Sequence, residues 1–132
     1  MFKVKIITPE RVFYETEASM IEFNTTEGEI GVYAQHIPLT TVLAPGVLRI
    51  TEEDKTTVAA IHAGFAEILP DQVTLLAEIA EWPDEIDLKR AEEARIRAER
   101  RIAEKATDLN MARAELALKR AVARISAVEE VK

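Results

Sequence analysis

Two patterns of apolar and polar positions divide the chain. Up to Pro83 the apolar residues alternate in short runs broken by glycine and proline; after it they recur every three or four positions without a breaker. All four Gly (28, 31, 46, 64) and all five Pro (9, 38, 45, 70, 83) fall at or before residue 83. Alternation with a period of two predicts half-buried strands, and recurrence near 3.6 predicts helices.

In the front part Phe2, Val4 and Ile6 share one side of a first strand, and Thr8-Pro9-Glu10 turns the chain. Short strands are predicted at Val12-Phe13-Tyr14 and Met20–Phe23, and the Gly-punctuated Glu27–Tyr33 reads as a tight turn and a bulged strand. His36-Ile37-Pro38-Leu39 reads as a loop, since Pro38 disfavours helix at Ile37. Pro45-Gly46 turns into Val47–Ile50, and Glu52-Glu53-Asp54-Lys55 reads as a polar hairpin tip. Thr56–Ile61, Phe65–Leu69 and Val73–Ala77 follow as strands, broken at Gly64 and at Pro70-Asp71. Strands this short and closely spaced imply a β-sandwich or barrel of about 80 residues.

From Asp84 on, Ala, Glu, Arg and Lys dominate, and all four are good helix formers. Pro83 stops the last strand and Asp84 is the expected cap of the first helix. At about 100° per residue, Ala91, Ala94, Ala98 and Ile102 form one apolar seam, and Ala114, Leu118, Ala121, Val122 and Ile125 form another. Between them lies Ala106-Thr107-Asp108, with Asp108 as a second expected cap; so short a connection implies an antiparallel helix hairpin. The fold class is therefore α+β, with a strand-built unit over 1–83 and a helical hairpin over 84–132.

Beside each seam runs a line of arginines, Arg90, Arg97 and Arg101 on the first helix and Arg113, Arg120 and Arg124 on the second. Equal offsets in the same sense put both lines on one edge of an antiparallel pair, with Arg90 near Arg124 and Arg97 near Arg120. Guanidiniums gathered on one edge repel one another unless anions join them, and their fork matches phosphate oxygens. Pairing within the helix, for example of Arg97 with Glu93 or Arg101 with Glu104, accounts for the same residues without a ligand. The alanine seams bury little area, so the hairpin is expected to hold loosely and to allow a second, separated arrangement.

Charge and composition narrow the function. Five Lys/Arg against thirteen Asp/Glu lie up to Pro83, and twelve against eleven lie beyond, within a net charge of −7. An acidic front half argues against nucleic-acid binding. Without Cys, and with only His36 and His62, neither a zinc-thiolate site nor a thiol nucleophile can be built. No Ser/His/Asp order, carboxylate pair or phosphate loop points to catalysis. No apolar run reaches the roughly 20 residues a spanning helix needs, so any membrane link is expected to run through a partner.

The motifs together resemble the epsilon subunit of bacterial F-type ATP synthase along almost the whole chain. Gly28-Glu29-Ile30-Gly31-Val32 with His36-Ile37-Pro38-Leu39 is similar to that family's strand–loop signature. Ala63-Gly64-Phe65-Ala66-Glu67-Ile68 resembles its "GGF-x-E-V" strand, and Arg113–Ala121 its second-helix signature. Ile86-Asp87-Leu88-Lys89-Arg90-Ala91 resembles the ATP-binding motif "[IL]D-x-x-RA" of Bacillus-type members. At Ala34-Gln35-His36 the chain departs from the Pro-Gly that many members carry before the His.

The resemblance implies a sandwich of about ten strands followed by two helices. It implies a place on the rotor, peripheral to the cytoplasmic side of the membrane. The partners would be the gamma subunit, the c-ring and the catalytic alpha and beta subunits. The helices would inhibit ATP hydrolysis when extended, and ATP would bind the folded-down form as an effector, with Mg²⁺ as an optional companion. The implied ATP contacts are Glu81, Ile86, Asp87, Arg90, Ala91 and Arg97, with Arg120 and Arg124 from the second helix. The competing expectations are a free-standing nucleotide-sensing module and, less compatible with the residues, a small enzyme.

Overall fold

The computed structural model describes residues 1–105 and 107–132, with the backbone alone at 108 and 109. Eight strands precede two helices: β1 Phe2–Ile7, β2 Val12–Ala18, β3 Met20–Thr25, β4 Gly28–Tyr33, β5 Leu39–Val42, β6 Gly46–Thr51, β7 Thr56–Leu69 and β8 Gln72–Glu81. A 3₁₀ turn, Pro83–Glu85, leads into α1, Leu88–Ala103, and α2 is Asp108–Glu130. The strands form one curled, sandwich-like sheet in the order β2-β1-β8-β7-β6-β3-β4, with β5 added on the second half of β7. All pairs are antiparallel except β1 with β8. Phe2, Val4, Ile6, Ile21, Phe23, Leu48, Ile50, Ile68, Val73 and Leu75 fill its core.

The expected strands at 56–61 and 65–69 are one strand, bent rather than broken, and β5 is added where a loop was expected, so the count is eight. The bend lies at Ala63 and Gly64, both in the left-handed region at φ 58° and 119°. A Cβ at Gly64 would collide with the Leu76 carbonyl oxygen on β8, so only glycine allows the two backbones to approach there. β5 escapes the sequence pattern because Leu39, Thr40 and Val42 are exposed and show no buried side. Gln35, where the resemblance predicts glycine, holds φ 63° and donates its backbone N–H to Pro70 O at 2.8 Å. The tip at Glu52 is more than solvated: its carboxylate accepts from Tyr14, Thr16 and Thr57, which ties β2 to the β6–β7 turn.

Register decides what α2 meets. Arg49 opposes Val58, Val47 opposes Ala60, and Ala60 in turn opposes Glu81. Directly paired residues point to one side of a sheet, so Val47, Arg49, Val58, Ala60, His62 and Glu81 share a face. Val47, Val58 and Ala60 pack there against Ala127 of α2, with Ile86 at the border. Small residues at Ala60, Ala123 and Ala127 let the helix sit close to the strands. α2 alone of the two helices makes substantial contact with the sheet, and α1 packs on α2.

The junction is pinned to the sandwich. Trp82 stacks on Phe13 with centroids 4.1 Å apart and meets Tyr14 edge-on at 5.3 Å. The Glu85 carboxylate accepts from the Trp82 backbone N–H at 2.9 Å and from Arg11 Nη2 at 3.0 Å. The expected cap at Asp84 is not the one used: Asp84 lies inside the 3₁₀ turn, and α1 starts one turn later on Asp87. Pro83 fits the first position of that turn, where no N–H is required, so the chain makes a tight turn before the helix. At α2 the capping position is Thr107, without a side-chain bond, and the expected Asp108 cap lies outside the described side chains.

Candidate functional site

The seams close largely as the spacing implies, with Ala91, Ala98, Ala114 and Ala121 buried between the helices. Val122 is the exception at 44% exposed: α2 buries Ala123 and Ala127, and Val122 lies at the edge of the helix, beside an open groove lined by Pro45, Gly46 and Val47. Where the base of the hairpin meets the end of β8, a cleft of about 420 Å³ opens. That volume is within the range of small-ligand sites.

Glu81, Glu85, Ile86, Asp87, Arg90, Ala91, Ala94, Arg97 and Arg124 line the cleft. Three elements therefore supply it: the end of β8 with its 3₁₀ turn, the first three turns of α1, and α2. Seven of the eight residues implied by the ATP-binding motif lie together here, and Arg120 is outside the lining, one turn before Arg124. Glu85 and Ala94 are additions; Glu85 belongs through its bond to Trp82, and Ala94 through the one-turn spacing from Ala91. Arg101 and Arg113, at the far ends of the two arginine lines, are exposed and away from the cleft.

Its charges are organised unevenly. Arg124 Nε donates to Glu81 Oε1 at 2.8 Å, and His62 Nε2 lies 3.1 Å from the same oxygen. Partial burial alone would raise the Glu81 carboxyl, but the bonds from His62 and Arg124 and their charge outweigh it and hold it below the usual glutamate range. The Glu85 carboxyl is also held down, first by the Trp82 backbone N–H and then by Arg11 against a small burial penalty. Asp87 Oδ1 accepts from the Arg90 backbone N–H at 3.1 Å, so one carboxylate oxygen caps α1.

The cations are less well matched. Among the described residues, Arg90, Arg97 and Arg120 have no carboxylate oxygen within 4.0 Å, and the intrahelical pairs Arg97–Glu93 and Arg101–Glu104 do not form. Arg120 Nε is buried without a hydrogen-bond partner. Two unpaired guanidiniums beside a third make a place for an anion with several acceptor oxygens. The carboxylates have complementary uses, accepting from hydroxyls or an amino group. A metal fits less well, since no cluster of metal-binding side chains occurs among the described residues.

A second ionic contact holds the other end of α2. Arg49 on β6 donates to Glu130 from Nε at 2.9 Å and from Nη2 at 2.6 Å, with Glu29 at 3.3 Å. A carboxylate at a helix C-terminus is disfavoured by the helix dipole, and Arg49 offsets that. The Arg49–Glu130 pair was not legible in the sequence, because 81 residues separate its members.

Comparison with known proteins follows the same division. Residues 1–83 match the family described as ATP synthase, Delta/Epsilon chain, beta-sandwich domain, and residues 84–129 match its long alpha-helix domain. The chain is 42% identical over 126 residues to the ATP synthase epsilon chain of Ruminiclostridium cellulolyticum, covering 96% of this chain and 94% of that one. It is 45% identical over 123 residues to the epsilon chain of Shouchella clausii, covering 93% and 91%. In fold it is similar to a chain of the mitochondrial ATP synthase OSCP/F1/c-ring structure of Euglena gracilis, with a TM-score of 0.81 at 24% identity over 98% of this chain and 80% of that one. No helix among the described residues is long and apolar enough to cross a membrane. By near-full-length identity and by both of its matched regions, the chain belongs to the ATP synthase epsilon-chain family.

Proposed function

We propose that this chain is a non-catalytic central-stalk subunit of a rotary ATP synthase that senses ATP through the cleft between β8 and the helical hairpin. The unit over 1–83 serves assembly, against the gamma subunit and the c-ring. The unit over 84–132 regulates hydrolysis by the alpha and beta subunits. Its place is peripheral, on the cytoplasmic side of the membrane, through the complex.

The observation that carries the reading is the charge arrangement of the cleft. Arg90 and Arg97 face it beside Arg124 without carboxylate partners among the described residues, while Glu81 and Asp87 offer acceptors at the same opening. Arginines address the phosphates, each charge-assisted bond contributing roughly 1.5–3 kcal/mol. Ile86, Ala91 and Ala94 supply apolar surface for a flat base. Arg120, one turn from Arg124, becomes a contact if its side chain swings to a bound phosphate. ATP acts as an effector in this reading; Mg²⁺, if it accompanies ATP, is held by the phosphates rather than by these carboxylates.

A ligand that binds only the folded hairpin stabilises it by about 2.7 kcal/mol at a hundredfold excess over Kd. The folded form is otherwise held by small alanine contacts and two ion pairs, so a shift of that size can decide between docked and separated helices. Calorimetric titration of the whole protein with ATP tests the reading. Saturable 1:1 binding that is lost on Arg90→Ala supports it, and a flat titration overturns it.

A further inference from the structure

His62 is completely buried, at 0% exposure, yet its ring touches the cleft's machinery. Its place follows from register. Ala60 opposes Glu81 and His62 opposes Ile79, so His62 lies diagonal to Glu81 on the face that α2 covers. Nε2 meets Glu81 Oε1 at 3.1 Å, and buried Nδ1 has no partner among the described residues. The groups facing this pair are Arg124 from α2, Glu85 from the 3₁₀ turn, and Arg90 and Arg97 across the cleft from α1.

Both donors fall on the same oxygen of Glu81. Among the described residues Oε2 takes no hydrogen bond, although Glu81 lines the cleft with a quarter of its side chain exposed. A glutamate tethered at one oxygen by two donors loses the freedom to rotate that oxygen outward. A buried ring with a single partner is an expensive way to fill space, since an apolar side chain would leave no polar atom unsatisfied. Its one bond is charge-assisted, about twice the strength of a neutral one, which explains how the ring is retained.

We propose that His62 is a positioning residue for the nucleotide cleft: its Nε2–H holds Glu81 Oε1 from beneath, so that Oε2 stays available to accept a hydrogen bond from the bound nucleotide. The proposal rests on the reading of the cleft as an ATP site. It requires the Nε2–H tautomer, because only that nitrogen has an acceptor.

The test uses the full chain, with ATP as the probe. His62→Gln keeps an amide donor near the Nε2 position, and His62→Leu removes it. His62→Leu is expected to weaken ATP binding about tenfold, and His62→Gln less than about threefold. The double variant His62→Leu/Glu81→Gln is expected to bind no worse than Glu81→Gln alone, because the histidine acts through Glu81. Equal losses in Leu and Gln, or additive losses in the double variant, reduce His62 to a packing role and overturn the proposal. Should His62→Leu not fold, nitrogen NMR of the unmodified protein decides: Nε2 protonated and Nδ1 bare supports the proposal, and the reverse tautomer overturns it. Absence of ATP binding by the unmodified protein instead removes the nucleotide reading itself, whatever the tautomer.

Discussion

Glu81 Oε1 accepts from Arg124 Nε at 2.8 Å, and this contact joins the last residue of β8 to the last helix of the chain. The same two residues line the cleft, so the bond that docks α2 on the sandwich is also a wall of the site. Docking and the proposed ligand binding therefore draw on one carboxylate. Its pH dependence has a definite sign. The Glu81 carboxyl is held below its ordinary value, so its contribution is complete above the unfolded value near 4.3 and is lost as pH falls through the lower folded value. Acidification from pH 5 downward is expected to free α2, read as loss of hydrogen-exchange protection in residues 114–127. Glu52 and Glu85 shift in the same direction, so the sandwich also weakens in acid. Glu81→Gln isolates the helix: it should weaken docking at pH 7 and flatten the acid response of α2 alone.

Asp87 carries two roles that a single substitution confuses. It caps α1 through the Arg90 N–H and presents a carboxylate to the cleft. Asp87→Ala loses both, at about 1 kcal/mol for the cap. Asp87→Ser keeps a capping oxygen and removes the charge. If the carboxylate is a ligand contact, Asp87→Ser should still weaken ATP binding about tenfold, or about 1.4 kcal/mol, with helix content unchanged. Binding by Asp87→Ser at the unmodified level would falsify the contact while leaving the cap intact.

Arg49 tests the other anchor. Its bonds to Glu130 are forked, but both side chains are about a third exposed, so screening limits the pair to about 1 kcal/mol. Arg49→Ala should raise the population of undocked α2 about fivefold without moving the sandwich's unfolding midpoint by more than a few degrees. A label pair on the sheet and near Val128 reads the population. No change in distance distribution would show that the Ala60–Ala127 contact and the Glu81–Arg124 bond hold the helix without Arg49.

The two halves of the chain differed in what their residues disclosed. The hairpin was legible because helical spacing is a local property: Ala91, Ala98, Ala114 and Ala121 are buried as the 3.6 period requires, and Arg90, Arg97 and Arg124 reach one cleft. The start of α1 was misplaced by one turn, since Asp84 and Asp87 are both competent caps and the 3₁₀ turn after Pro83 chose between them. In the sheet, Gly64 reads as a break but is a bend, because neighbouring β8 continues the pairing across it. His62, Arg49 and Glu130 gave no signal. Their roles depend on strand register and on where α2 lands, and neither is encoded within a short window.

The bend itself is testable. Gly64 sits at φ 119° against the Leu76 carbonyl, so Gly64→Ala adds both a strained backbone and a collision that the strand pair cannot relieve without separating. A loss of about 3 kcal/mol or more is expected, read as a lowered urea midpoint. Ala63, at φ 58°, reports the opposite case. Ala63→Gly relieves a left-handed alanine worth about 1–2 kcal/mol and costs about 0.5–1 in chain entropy, so it should be neutral to slightly stabilising.

The last prediction concerns order of release. α1 reaches the sheet mainly through α2, and the 3₁₀ turn before α1 is fixed by the Trp82–Phe13 stack and the Glu85–Arg11 pair. Any separation of the hairpin must therefore hinge between Glu85 and Leu88, with Ile86 as the residue whose apolar cover is lost. Among the described residues, the two ion pairs between α2 and the sheet lie toward its C-terminal half, at Arg124 and Glu130, so the helix leaves the sheet only when both break. On the proposed reading, ATP strengthens one of the two directly by engaging Arg124 and its neighbours across the cleft. Labels on the sandwich and near Val128 should draw together on adding ATP, and Arg124→Ala should blunt the response by more than Arg49→Ala does. Equal blunting by both substitutions would place the nucleotide's effect on helix docking in general rather than on the cleft. A distance that ignores saturating ATP would rule out the switch even where calorimetry finds the nucleotide bound.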